Sequence, residues 1–276
     1  MLAQGLPAPH NSDAARRMDL AVRDAGAIPA ITAVVRGQVT AGLTPDEVSR
    51  FLRGIDVDKA SARDLGSAMA SGRDAATTVA GALVVCHAAG INVFATGGIG
   101  GVHRMPAFDE SADLIELART PVIVVCAGAK SVLDLPATVE RLETLGVTVI
   151  GYRTSEFPGF HYASTGIPVP TRFDDAGQII AAHRAQRTLG HPAATLVVQA
   201  PPPADALPRD VVERAIENAL SAANDAKIRG PAMTPWLLSE LGRATEGSTV
   251  RVNLALLEAN ARLAAELSVR LARGNS

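Results

Sequence analysis

The side chain best suited to covalent chemistry is Lys130, which follows the apolar run at 121–127 and precedes a helix pattern at 135–145. In open α/β sheets, ligands bind beyond the carboxyl ends of the strands. A lysine held there and partly stripped of water loses its preference for the ammonium form, and the free amine attacks carbonyl-type carbon. A lysine in that place can also grip a phosphate or simply reach solvent. Position alone leaves all three readings open.

A second group is Asp109, Glu110, Ser111 and Asp113, with Ala112 between them. Carboxylates plus water suit a hard ion such as manganese or magnesium. The same residues also suit helix capping, with Ser111 or Asp109 as N-cap and acids favoured in the first turn. The glycine-rich run 97–101 leads into Val102, His103 and Arg104. Its backbone N–H groups could cradle a phosphate, or its glycines could serve a turn with unusual dihedral angles. The spacing is not that of a dinucleotide fingerprint. His103 and Arg104 either meet an anion or flank the loop. Lys59 opens the polar run Lys-Ala-Ser-Ala-Arg-Asp, either a phosphate grip or a solvated loop. Asn253 and Asn260, seven residues apart on one helix face, are either satisfied core amides or ligand contacts.

These residues need a scaffold, and the pattern supplies one. Helices are expected at about 11–24, with Asn11 or Ser12 as cap, and from Thr44, where Thr-Pro-Asp-Glu forms a capping box. A short hairpin is expected over 30–41. Residues 73–89, apolar almost all round, read as one buried helix. Strands are expected at 91–96, 121–127, 147–152 and 194–198, and helices at 112–119, 135–145, 209–228, 234–243 and 250–273. The run 121–127, Pro-Val-Ile-Val-Val-Cys-Ala, is the mark of a strand covered on both faces. Alternation of this kind predicts an α/β fold with a mostly parallel sheet and crossover helices. Residues 158–174 read as an ordered loop. No composition shift divides the 276 residues, so one domain over 1–276 is expected.

Composition excludes other classes. The net charge is −2 and aromatics are 3%, so the chain lacks both the basic field and the stacking platforms of a nucleic-acid binder. No apolar run reaches the length of a membrane span, and no signal segment opens the chain. The two cysteines, Cys86 and Cys126, sit in apolar runs and suit reduced thiols of a cytoplasmic protein.

Taken in order, Gly-Leu-Pro-Ala-Pro-His-Asn (5–11), Lys-Ala-Ser-Ala-Arg-Asp-Leu (59–65), Ala-Thr-Gly-Gly-Ile-Gly-Gly-Val-His-Arg (95–104), Ser-Ala-Asp-Leu (111–114), the long segment 121–147 around Cys-Ala-Gly-Ala-Lys-Ser, 151–160 and 252–265 resemble the pseudouridine-5′-phosphate glycosidase, or indigoidine synthase A-like, family. The resemblance covers nearly the whole chain, and the segment around Lys130 is its most specific part. It implies a three-layer α/β/α sandwich, a homotrimer, and reversible conversion of pseudouridine 5′-phosphate and water into uracil and ribose 5-phosphate. By resemblance Lys130 is the nucleophile and Asp109 the manganese ligand, with waters completing the shell. Lys59, Val79, His103, Ser111, Ala112, Asp113 and Asn253 match substrate-binding positions. The rival classes are a different Schiff-base lyase acting on sugar phosphates, and a silent phosphosugar-binding protein.

The chain also departs from the family pattern. The family opens with a strand and a Glu-Ser-Thr-Ile-type motif, whose glutamate donates the proton that opens the sugar ring. Met1-Leu2-Ala3-Gln4-Gly5 starts after that place, and Gln4 stands where a histidine is usual. Two residues are missing between Arg104 and Phe108, Glu110 replaces an apolar residue, and Ala200 stands in place of asparagine. The expectation is a natural chain that begins upstream and carries the glutamate. The alternative is an impaired paralogue that binds a phosphosugar without turnover.

Overall fold

A computed structural model describes residues 5–105, 108–228 and 233–274. In chain order these form α1 (His10–Asp24), β1 (Thr32–Val35), β2 (Gln38–Ala41), α2 (Pro45–Arg53), β3 (Val57–Ala60), α3 (Leu65–Ala70), β4 (Asp74–Thr77), α4 (Val79–Ala88), β5 (Val93–Ala95), β6 (Val102–His103) and α5 (Ala112–Arg119). There follow β7 (Ile123–Cys126), β8 (Leu133–Asp134), α6 (Leu135–Thr144), β9 (Thr148–Tyr152), β10 (Thr171–Phe173), α7 (Ala176–Thr188), β11 (Thr195–Val198), α8 (Arg209–Asp225), α9 (Met233–Ala244) and α10 (Ser248–Arg273).

The main sheet has the order β10-β9-β11-β7-β5 and every pairing is parallel. Its central strands β7 and β11 are buried at every residue, as their unbroken apolar runs require. Alternate residues feed two cores, because side chains on a strand point to opposite faces. Val124, Cys126, Leu196 and Val198 pack with Leu117 of α5, Leu142 of α6, Ile216 of α8 and Leu237 of α9. Ile123, Val125, Ile150 and Val197 pack with Ile179 of α7 and Leu263 and Leu267 of α10. Helices on both faces of one parallel sheet make the three-layer α/β/α sandwich.

A second sheet, β2-β1-β4-β3, stands beside the first, with β3 parallel to β4 and the other pairs antiparallel. Here two expectations fail. Residues 73–89 are not one helix: β4 pairs with both β1 and β3, and only then does Thr78 cap α4 by accepting the Gly81 N–H at 3.2 Å. An Ala-rich stretch has helical propensity, but two neighbouring strands override it. Likewise Lys59 lies in β3, not in a loop; Val57 and Ala60 are buried, and Asp58 and Lys59 are exposed. The cap expected at Asn11 or Ser12 also differs, since α1 starts at His10 and the Asn11 amide donates to the Leu52 carbonyl at 2.9 Å. The Thr44 capping box stands as read, with α2 closed by Gly54 in the left-handed region. α7 and the short strands β3, β6, β8 and β10 had no clear local signal.

Candidate active site

The turn that carries Lys130 is an extension of the main sheet. Past the ends of β5 and β7 the two chains keep pairing: Thr96 N–H donates to Val125, Ala127 N–H to Gly97, Ile99 N–H to Gly128, and Lys130 N–H to the Ile99 carbonyl at 3.2 Å. The glycine run 97–101 is therefore a partner of the lysine turn. None of its glycines has a positive φ. They are there for close approach. A Cβ on Gly98 would lie 2.6 Å from the Phe160 ring, and one on Gly100 would strike Ser111.

Above this turn opens a cavity of about 1270 Å³, lined by residues of both sheets, α4, α5 and α10. It runs on along the outer side of β5, the edge strand of the main sheet among the described residues. Lys130, Lys59, His103 and Asp109 all line it, and so do Val79, Ser111, Ala112, Asp113 and Asn253. Segments far apart in sequence thus bring these nine residues to one place.

Burial pushes the Lys130 ammonium below its ordinary range; Asp113 opposes this and the like charge of Lys59 adds to it. His103 is pushed down, first by burial, while Asp109 pulls it up and Lys130 and Lys59 push it further down. Lys59 itself is exposed on β3. Lys130 and Lys59, both on the cavity wall, make it a place for an anionic ligand.

Asp113 has a structural task in the fold as well as a place on the cavity wall. It is 4% exposed, and its two oxygens accept the Ala80 N–H at 2.8 Å and the Gly100 N–H at 2.7 Å. It clips the start of α4 to the glycine run. Ser111 caps α5 by accepting the Asp113 N–H at 3.2 Å, so the capping reading holds for it. Glu110 is paired with Arg141 at 2.9 Å. That leaves Asp109 as the acid of this segment whose carboxylate makes no hydrogen bond to the described residues. No cluster of three His, Cys, Asp or Glu side chains that could hold a metal is present among the described residues. This donor set fits a hard divalent ion that keeps most of its waters, as magnesium and manganese do, and not a protein-caged metal.

The two asparagines of α10 part company. Asn260 is a satisfied core amide, donating to the Thr96 carbonyl at 2.8 Å and accepting from Gln199 at 2.8 Å. Asn253 is 8% exposed, and its Oδ1 is buried without a hydrogen-bond partner at the cavity wall. A buried polar atom left unpaired beside a cavity fits a ligand contact. Arg104 does not meet an anion in the cavity. It turns away and donates to the carbonyls of Ser131 at 3.0 Å and Leu133 at 3.2 Å. Phe160, a wall residue no local spacing pointed to, is 3% exposed with φ of 64°. An aromatic residue in that region of backbone space is uncommon and is found where surrounding structure holds it. Gln4 and the residues at 106–107 lie outside the described residues.

Comparison with known proteins agrees with this geometry. Residues 1–270 match the family described as indigoidine synthase A like protein. Among similar proteins, a pseudouridine-5′-phosphate glycosidase of Gemmatimonas aurantiaca is 60% identical, covering 99% of this chain and 90% of that protein. One of Herpetosiphon aurantiacus is 49% identical over 98% of this chain and 90% of its own length. Among solved structures, the prealnumycin C-glycosynthase AlnA in complex with ribulose 5-phosphate superposes with a TM-score of 0.90 at 40% identity, covering 96% of this chain and 88% of that one. An indigoidine synthase A-like protein from Thermotoga maritima gives 0.91 at 34% identity, covering 98% and 90%. The chain belongs to the indigoidine synthase A-like family.

Proposed function

We propose that this chain reversibly cleaves the carbon–carbon glycosidic bond of pseudouridine 5′-phosphate, giving uracil and ribose 5-phosphate through a covalent bond between Lys130 and the sugar. The observation that carries the reading is a lysine held below its ordinary pKa at the wall of a cavity that also holds Lys59 and His103. The names of its relatives point the same way.

Carbon is a poor leaving group, and two-carboxylate glycoside chemistry has no leaving oxygen to protonate here. An amine solves this. The Lys130 nitrogen bonds to C1′ as the bond from C1′ to the ring oxygen breaks; the nitrogen loses a proton and the ring oxygen gains one, which restores the lone pair on nitrogen. That lone pair then forms the C=N bond, the bond from C1′ to uracil breaks, and the electron pair leaves with uracil, which is protonated at carbon. Water adds to C1′ of the imine and releases ribose 5-phosphate and the free amine. Lys59 meets the phosphate, with His103 beside it, and Asn253 offers its unpaired oxygen to an N–H of the base. Asp109, through waters, would hold a manganese ion, which when bound supplies positive charge beside the phosphosugar. The proposed assembly is a homotrimer in the cytoplasm; both cysteines are free and buried, in keeping with a reducing compartment.

Reductive trapping tests the reading. Ribose 5-phosphate opens spontaneously to a small extent, so cyanoborohydride captures any lysine imine without help from a ring-opening acid. The chain has only three lysines, Lys59, Lys130 and Lys227, so peptide mapping is unambiguous. Label on Lys130 is the expected result. Folded protein that leaves Lys130 unlabelled, while a lysine-competent control enzyme reacts, overturns the covalent reading and favours a silent phosphosugar binder.

A further inference from the structure

Next to the lysine turn lies a polar network of Arg104, Ser131, His161, Tyr162 and Glu213, side chains that are not among those lining the cavity. The Arg104 guanidinium donates to the carbonyls of Ser131 and Leu133, and to Glu213 of α8 at 2.9 Å. The other oxygen of Glu213 accepts the Tyr162 hydroxyl at 2.6 Å. The Ser131 hydroxyl, fully buried, pairs with Nδ1 of His161 at 2.8 Å. His161 is 2% exposed, stands edge-on to Phe160 at 4.7 Å, and burial pushes its pKa down to about 3, so it is neutral at working pH.

We infer that Arg104, held by Glu213 and Tyr162, and the Ser131–His161 pair form a brace that aims Lys130; they are positioning residues for its chemistry. The inference rests on Lys130 being the nucleophile. The argument is geometric. The amine sits at the end of four rotatable bonds, so its reach is set by the direction in which the backbone launches the side chain. That backbone is pinned on the N-terminal side by the Lys130 N–H bond to Ile99, and internally by Leu133 N–H to the Lys130 carbonyl at 3.0 Å. On the C-terminal side β8 pairs with β6, and the brace takes up the Ser131 and Leu133 carbonyls and the Ser131 hydroxyl. Arginine suits this task because its planar fork serves several acceptors at once; lysine in its place would keep the charge opposite Glu213 but not the fork.

The test measures reductive trapping of Lys130 by ribose 5-phosphate in wild type, Arg104→Lys, Ser131→Ala and Tyr162→Phe, with label on Lys227 as internal reference. Misplacing a reacting group can cost on the order of 10²-fold in rate. The expected result is a trapping rate at saturating sugar that falls by roughly 10- to 100-fold in Arg104→Lys and Ser131→Ala, and by less in Tyr162→Phe. The sugar concentration for half-maximal rate and the Lys227 label should hardly move. Wild-type trapping with the maximal rates of all three variants unchanged overturns the brace and leaves the nucleophile standing. Circular dichroism reports any unfolding; should Arg104→Lys and Ser131→Ala unfold, Tyr162→Phe, which keeps the ring, decides, and a normal Lys130 rate in it rejects the brace. No label on Lys130 in wild type overturns both.

Discussion

Replacing Asp113 with asparagine separates its mechanical role from its electrostatic one. The carboxylate accepts two backbone N–H groups, from Ala80 and Gly100, in a nearly closed site. Asparagine keeps the shape but offers one acceptor oxygen. The other N–H must then face the amide NH₂, and a buried donor left unpaired costs about 1–3 kcal/mol. The surviving bond loses its charge assistance, worth about half its strength in such bonds, which brings the total to roughly 2–4 kcal/mol. In a chain of this length that lowers Tm on the order of 5–10 °C. The second effect concerns Lys130. The Asp113 charge favours the ammonium form, against burial and Lys59. Removing it lowers the Lys130 pKa further, so the pH at which trapping reaches half its plateau moves down. Thermal melts by circular dichroism read the first effect, and trapping from about pH 6 to 10 reads the second, across the range where a lysine lowered from 10.5 titrates. A Tm within about 1 °C of wild type would refute the clip, since effects that small, within about 0.5 kcal/mol, are those of surface substitutions. A trapping midpoint that stays fixed or rises would refute the electrostatic assignment.

Three other substitutions probe the cavity and its support. Asn260→Ala removes three hydrogen bonds from a fully buried amide and should cost roughly 2–4 kcal/mol in urea unfolding; Asn253→Ala removes an oxygen without a partner and should cost less than about 1 kcal/mol while weakening uracil binding by calorimetry. Lys59→Met removes a repulsion on Lys130, so its trapping midpoint should move up in pH, opposite to Asp113→Asn, and half-saturation should worsen for ribose 5-phosphate but hardly for ribose; equal losses for both sugars would remove Lys59 from the phosphate.

What could be read from the sequence followed local physics. The bounds of α5 follow from Ser111 as cap and the apolar spacing behind it, and the strand before Lys130 follows from an apolar run too long and too branched to face water. What could not be read was decided by distant partners. β4 is a strand because β1 and β3 flank it, though its own Asp-Ala-Ala-Thr leans helical. Asp113 looks like a first-turn helix acid, and it is one, but its carboxylate is taken by N–H groups 33 and 13 residues away. Arg104 sits beside His103 in the chain and seems a natural anion ligand; a glutamate 109 residues later takes it up instead.

The glycine run shows why the site depends on this long-range arrangement. A phosphate cradle would need its N–H groups free, yet the Ile99 N–H is spent on the Gly128 carbonyl and the Gly100 N–H on Asp113. The missing side chains let Phe160 and Ser111 close in on the segment, and the segment in turn pairs with the backbone that carries Lys130. Desolvating an amine and aiming it are both satisfied by this one device: close packing excludes water, and the continued ladder fixes the launch point. The ladder holds one side of the turn and Arg104 the other. A reactive lysine on a flexible loop would regain its hydration and its ordinary pKa; here the backbone on both sides prevents that.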